Sequence, residues 1–206
     1  MCSESIQGTQ KEKITCKWAG HYVLPAFRKE EIMKTETKVI KSKALFSDDK
    51  QHRLLLHKEW DKNKKTAMII MINPNTADTL NMDLTTMLVI NNLNELGFGS
   101  VNIVNLYSRI MLKLSLRFNS DDDLIDKETD TIIEQYAAMS DAVIIAWGSI
   151  GNNNQRIRER QKDILELLEP YANKLYQIGE EGYHPLTPAI RTKWTLEPYN
   201  FKEENT

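Results

Sequence analysis

Short β-branched or aliphatic runs alternate along the chain with stretches whose apolar residues fall at helical spacing. Three apolar runs stop abruptly at polar residues, glycine or proline: MIIMINPNTAD (68–78), VNIVNLYSRI (101–110) and AVIIAWGSIG (142–151). A fourth, shorter run precedes GYHPLTP (182–188). Near-continuous apolar runs of this kind read as buried parallel strands with loops at their carboxyl ends. They predict strands at about 67–72, 101–106, 142–147 and 174–178.

Helical patterns fill the intervals. Asp83 can cap a helix beginning LTTMLVINNLNEL, which Gly97 ends by tolerating the left-handed conformation. DDDLIDKETDTIIEQYAAMS has acidic residues at its start and Ile132, Ile133, Tyr136 and Met139 at helical spacing. After an asparagine-rich turn (Asn152 to Asn154), Ile157, Ile164, Leu165 and Leu168 give a further helix an apolar stripe, ended by Pro170. Upstream, KVIKSKALFS and HRLLLHKEW flank Asp48, Asp49 and Lys50, the pattern of two antiparallel strands and a turn. The expected fold is α/β, three-layer α/β/α, with a mostly parallel central sheet.

Residues 1–37 are polar and charged without sustained periodicity and read as a peripheral N-terminal segment. Trp18, Tyr22, Leu24 and Phe27 offer docking positions within it, and Met33 an alternative start. Residues 38–200 read as a single α/β domain, with 201–206 as a tail. The 206 residues suffice for a real core. A net charge of −2 and a pI of about 6.1 argue against a global basic field that would draw nucleic acid, though a local positive groove is compatible with them. Cys2 and Cys16 form no CxxC, and Cys16 and His21 flank KWAG as an incidental pair. No disulfide framework, metal site or cofactor is therefore expected. No apolar run reaches membrane-spanning length and no signal-peptide core is present, so the expected compartment is the cytoplasm. The Gly-rich phosphate loop, GxGxxG and GxSxG are all missing, which weighs against ATPase, dehydrogenase and esterase-type readings.

Ligands of open α/β sheets bind outside the carboxyl ends of the strands. Asn73, Asn75, Asp78, Asn105, Arg109, Trp147 and His184 are accordingly expected to converge on one pocket. The turn Asn73 to Asp78 either is structural or holds a water, with Asp78 or Asp83 as orienting carboxylates. Asn105 carries both donor and acceptor and suits a base edge, or closes a turn. Arg109 suits a phosphate or carboxylate, or the surface. Trp147 offers core packing or a stacking face, with Gly148 and Ser149 as ligand neighbours. His184, presented by Pro185, can donate to charge developing on a leaving group. Arg156, Arg158, Arg160 and Lys162 either touch phosphates or, interleaved with Glu159, Asp163 and Glu166, form a solvated helix face.

From about Ala44 to Tyr199 the chain resembles a bacterial and phage family, domain of unknown function 1643. The residues that carry this are ALFSDD, HRLLLHKEW, MINPNTAD, MDLTT, VNIVNLYSRI, AWG and HPL. At a second level the order of motifs resembles the uracil-DNA glycosylase superfamily. Met71-Ile72-Asn73-Pro74-Asn75 is similar to that superfamily's water-positioning GQDPY or GINPG motif, with Asn73 standing where the most active members have aspartate. Asn105 matches its base-reading asparagine, and Ile144 to Gly148 its LLWG strand. His184-Pro185-Leu186-Thr187-Pro188 matches a shortened HPSPL loop, with its catalytic histidine and a wedge at Leu186. Tyr107 is the aromatic nearest the place of the base-pocket floor. The resemblance implies a hydrolase that cleaves the N-glycosidic bond of a modified or damaged nucleobase in DNA or a related nucleotide, without metal. The alternative is a noncatalytic nucleotide or nucleic-acid binding module, with a phage interaction protein as a third reading.

Overall fold

The computed structural model describes residues 34–201. The chain divides into two units, Met1–Thr37 and Lys38–Thr206. The aromatic docking positions, Met33, both cysteines and His21 lie outside the described residues, as does 202–206 of the expected tail.

In the second unit the strands are β1 (Lys41–Phe46), β2 (Arg53–Glu59), β3 (Lys65–Met71), β4 (Phe98–Asn105), β5 (Ala142–Ile145), β6 (Leu175–Ile178) and β7 (Leu196–Pro198). The helices are α1 (Leu84–Glu95), α2 (Asp121–Leu124), α3 (Thr129–Met139) and α4 (Gln155–Leu168). All seven strands join one sheet in the order β1-β2-β4-β3-β5-β6-β7. The fold is α/β, but the sheet is mixed rather than mostly parallel. The β4–β3, β3–β5 and β5–β6 ladders are parallel, whereas β1–β2, β2–β4 and β6–β7 are antiparallel. The links at 47–52 and 60–64 are too short for the crossover of a dozen or more residues that a parallel relation needs, so β1 runs against β2, and β2 against β3 and its parallel neighbour β4. There Lys50 takes a left-handed φ of 58°. β7, three residues ending in proline, has too little pattern to read from sequence.

Alternate residues of β3 feed two core clusters, as a period of two requires. Met68 and Ile70 pack with Ile133 and Ala137 of α3 and with Ile157, Ile164 and Leu168 of α4. Ala67, Ile69 and Met71 pack with Val89 and Leu93 of α1. Asp83 caps α1 by accepting from the Thr86 amide at 2.7 Å, and Gly97 follows the helix at a φ of 87°.

The stretch 121–140 forms two helices instead of one. A capping box between Ser120 and Asp123 starts α2, and Ile125 then turns extended. The Asp126 carboxylate takes the Glu128 amide at 2.9 Å, a local bond that competes with helix continuation. Of the expected stripe Ile133 is buried and Ile132 and Tyr136 are half-buried, but Met139 is 67% exposed; Ala137 is buried in its stead.

The basic residues of α4 divide: Arg158 and Lys162 are exposed with Glu159, Asp163 and Glu166, as in a solvated face, whereas Arg156 and Arg160 turn to the protein. Arg160 is buried, donating from Nε to the Leu106 carbonyl at 3.0 Å and through both terminal nitrogens to the Asp130 carboxylate. Arg156 holds Asp121 and the carbonyls of Leu116 and Asn119, and Arg158 donates to the Asn152 carbonyl at 2.9 Å. Arg160→Ala strips Leu106 and Asp130 of a charged donor, and is expected to cost about 2 kcal/mol in urea unfolding. An unchanged midpoint would mean that the ion pair contributes nothing net.

Candidate functional site

Because β3, β5 and β6 run parallel, the segments that follow them emerge on one rim of the sheet. The chain leaves β3 toward α1, which packs in one core cluster, and leaves β5 toward α4, which packs in the other. Connections that diverge to opposite faces make the gap between β3 and β5 a topological switch point, where open α/β sheets take their ligands. A cleft of about 490 Å³ opens there. Ile72 enters it from β3, Trp147, Gly148 and Ser149 from β5, and Tyr183 and His184 from the segment after β6.

Contact between the β5 and β6 loops is close. Gly148 sits at a φ of 66°, and a Cβ there would lie 3.1 Å from the His184 Cβ and 3.3 Å from its amide nitrogen. Glycine is what lets the two loops approach. His184 is half-buried, and burial lowers its pKa below the ordinary imidazole value. Its Nδ1 accepts the Leu186 amide at 3.2 Å. That bond requires Nδ1 to be unprotonated, so the neutral ring carries its proton on Nε2. The side chain is thereby set as a neutral donor. Trp147 is a buried member of the core whose edge also lines the cleft.

Asn73 follows Ile72 directly and is tied down through Nδ2, which donates to the Met111 carbonyl at 2.7 Å and to that of Pro74 at 3.3 Å. The carboxamide oxygen is left as its accepting edge. Asn75 turns its own oxygen to the Thr76 amide at 2.8 Å. Asp78 accepts from the Leu80 and Asn81 amides, both at 2.7 Å, and from the Asn81 side chain at 3.0 Å. The Asn81 and Leu80 bonds hold its carboxyl below the usual range. Asp78 and Asp83 therefore organise the loop and the start of α1, and neither lines the cleft.

Asn105 and Tyr107 reach the same rim, since Asn105 lies opposite Met71 in the parallel ladder and the Tyr107 amide bonds the Ile72 carbonyl at 2.9 Å. Both side chains are buried away from the cleft lining. Among the described residues the Asn105 Nδ2 and the Tyr107 hydroxyl have no partner, and burial pushes the phenol up to about 12. Arg109 donates to the Asp123 carbonyl at 3.0 Å, which engages it with α2. Leu186 stands beside His184 but outside the lining. The structure thus brings Trp147, Gly148, Ser149 and His184 together, whereas Asn73, one residue beyond Ile72, and Asn75, Asn105, Tyr107 and Arg109 do not line the cleft.

Two cations escaped sequence reasoning. Arg53 and Lys58 are buried on β2 and bond the backbone of the Asn-Pro loop: Arg53 reaches the Ala77 carbonyl, and Lys58 those of Asp78 and Thr79 at 2.9 and 3.1 Å. Burial lowers the Arg53 pKa to about 10, against the attraction of Asp83 and Asp78. Their signal was present as two positive charges inside the apolar run HRLLLHKEW.

A second basin of about 830 Å³ shares Trp147, Gly148, Ser149 and Glu181 with the cleft. Its wall carries Glu166, Glu169, Glu180 and Lys162. Among the described residues no group of three or more His, Cys, Asp or Glu could hold a metal ion, and no helix is long and apolar enough to cross a membrane.

These elements define an α/β protein with a cleft at the switch point of a mixed sheet. Over residues 53–186 the chain matches the family described as Protein of unknown function (DUF1643), and it belongs to that family. The matched span begins at buried Arg53 and ends at Leu186, so it takes in every residue that lines the cleft except Thr187. No curated protein and no solved structure matches the chain.

Proposed function

We propose that the cleft is the active site of a glycosylase-like hydrolase that releases a modified or damaged nucleobase from DNA or a related nucleotide. The observation that carries this reading is the neutral His184 at the switch point, its Nδ1 fixed by the Leu186 amide and its Nε2–H left to donate. Breaking an N-glycosidic bond sends the electron pair to the departing base, where a preorganised neutral donor stabilises the developing charge. Water adds to the sugar carbon as the bond breaks and supplies the proton that the base finally carries. Asn73, held by Met111, presents its carboxamide oxygen to that water. Trp147, Gly148 and Ser149 form the wall against which an extruded base rests, and extrusion costs a few kcal/mol. Asp78 and Asp83 hold the loop that carries Asn73, while Asn105, Tyr107 and Arg109 support the rim from beneath. The likeness to the uracil-DNA glycosylase superfamily and the three-layer arrangement belong to this proposal. Support for the layering comes from α1 packing in one core cluster and α3 and α4 in the other.

Incubation with nucleosides, nucleotides and oligonucleotides bearing uracil, hypoxanthine or modified pyrimidines, followed by mass spectrometry, is expected to reveal free base. No release from any of them would remove the catalytic reading. A noncatalytic nucleotide-binding module is the second reading. It is favoured by the engagement of Asp78 and Asp83 with backbone amides, which leaves an amide, Asn73, where hydrolysis prefers a carboxylate. That version gives a rise in melting temperature with nucleotides and no turnover.

A further inference from the structure

We infer that the segment 110–119 beside the cleft is a docking platform for single-stranded nucleic acid, with Phe118 stacking on a base and Lys113 and Arg117 contacting flanking phosphates. This inference deepens the proposed function, on which its choice of polymer rests.

Four observations support it. First, Phe118 and Leu112 are 80% and 81% exposed, among the most exposed large apolar side chains described. An aromatic face presented to solvent beside cations is the combination that binds strands without regard to sequence. Second, Lys113 and Arg117 are exposed in the same ten residues, which contain no acid, and the Arg117 guanidinium lies 5.3 Å above the Phe118 ring. Of the three acids that follow, Asp121 pairs with Arg156 and Asp123 closes the capping box with Ser120, while Asp122 is exposed. Third, the segment is held in place. Met111 bonds the Asn-Pro turn at both its amide (to Pro74) and its carbonyl (from Asn73), and Arg156 clamps the carbonyls of Leu116 and Asn119. Fourth, it adjoins the cleft, for Ile150 lines both the cleft and a groove of about 390 Å³ walled by Leu114 to Arg117.

The opposite side is closed to a polyanion by charge. The basin next to His184 carries Glu166, Glu169, Glu180 and Glu181 against Lys162. A phosphate chain entering the cleft is repelled there and attracted over Lys113 and Arg117. The strand's route to the site therefore runs past Phe118.

The test is fluorescence anisotropy with a labelled single-stranded DNA of about 15 nucleotides, within the site sizes of such platforms. Wild type is expected to bind, Phe118→Ala to bind about tenfold more weakly, and Phe118→Trp to restore affinity. Lys113→Gln and Arg117→Gln should each flatten the log–log salt dependence by about 0.7. All three positions are exposed, so folding is retained, which circular dichroism checks. Absence of binding by the wild type, or equal affinity of Phe118→Ala, would overturn the inference. If strands fail to bind while His184-dependent base release from free nucleosides continues, the proposed function survives alone. If Phe118-dependent binding occurs without any base release, the platform stands and the catalytic reading falls.

Discussion

Replacing His184 by alanine is expected to reduce base release by about two to three orders of magnitude, the usual cost of removing a preorganised donor from a developing anion. Mass spectrometry of the released base measures it. The fold should persist, because the side chain is only half-buried and its one described bond is to the neighbouring Leu186 amide. The pH profile carries a second signature. The working form is neutral, and burial holds the imidazole below its ordinary range. Release should therefore be flat at neutral and alkaline pH and fall as the pH drops through that lowered pKa. Stability follows the same sign. The unfolded histidine, at about 6.5, takes up its proton first. The contribution of His184 to stability is then whole above that value and lost as the pH falls through the folded one. A profile that instead rises on acidification would assign the work to a protonated imidazolium.

Gly148→Ala should damage both stability and turnover. A non-glycine residue in the left-handed region costs about 1–2 kcal/mol, and Gly148 has a φ of 66°. The added methyl would stand 3.1 Å from the Cβ of His184, so the histidine loop must retreat by a few tenths of an ångström. Misplacement of a reacting group by about 1 Å can cost on the order of a hundredfold, so a smaller shift is expected to cost about tenfold. Urea unfolding separates the two effects. If stability falls while turnover is unchanged, His184 tolerates displacement and its fixed presentation is not needed for the reaction.

What was legible in the sequence divides along physical lines. The strands β3 to β5 were readable because burial on both faces leaves a mainly apolar run that ends where the loop begins. The α1 cap at Asp83 and the turn at Lys50 were readable because local backbone geometry selects those residue types. The break between α2 and α3 was hidden, since Asp126 and Ser120 act through side-chain bonds to nearby amides that helical spacing does not register. The mixed sheet was hidden too: the pairing of β2 with β4 joins segments far apart in the chain. At the site, Gly148 stood out because it ends an apolar run, and His184 because it follows the last strand and precedes a proline. Arg53, Lys58 and Arg160 were misjudged or missed for one reason: a charged letter reads as surface until the carbonyl or carboxylate that receives it is known.

The central position of β3 has a consequence for how the molecule is assembled. Its N-terminal neighbours β1 and β2 meet across a tight turn, whereas β3 must wait for β5, with Thr66 bonding Asp141 across 75 intervening steps of chain. Contacts that close such long loops form late and slowly. The hollow around His184 thus comes into existence only after the last third of the polypeptide has joined the ladder, and an early hairpin alone holds none of it.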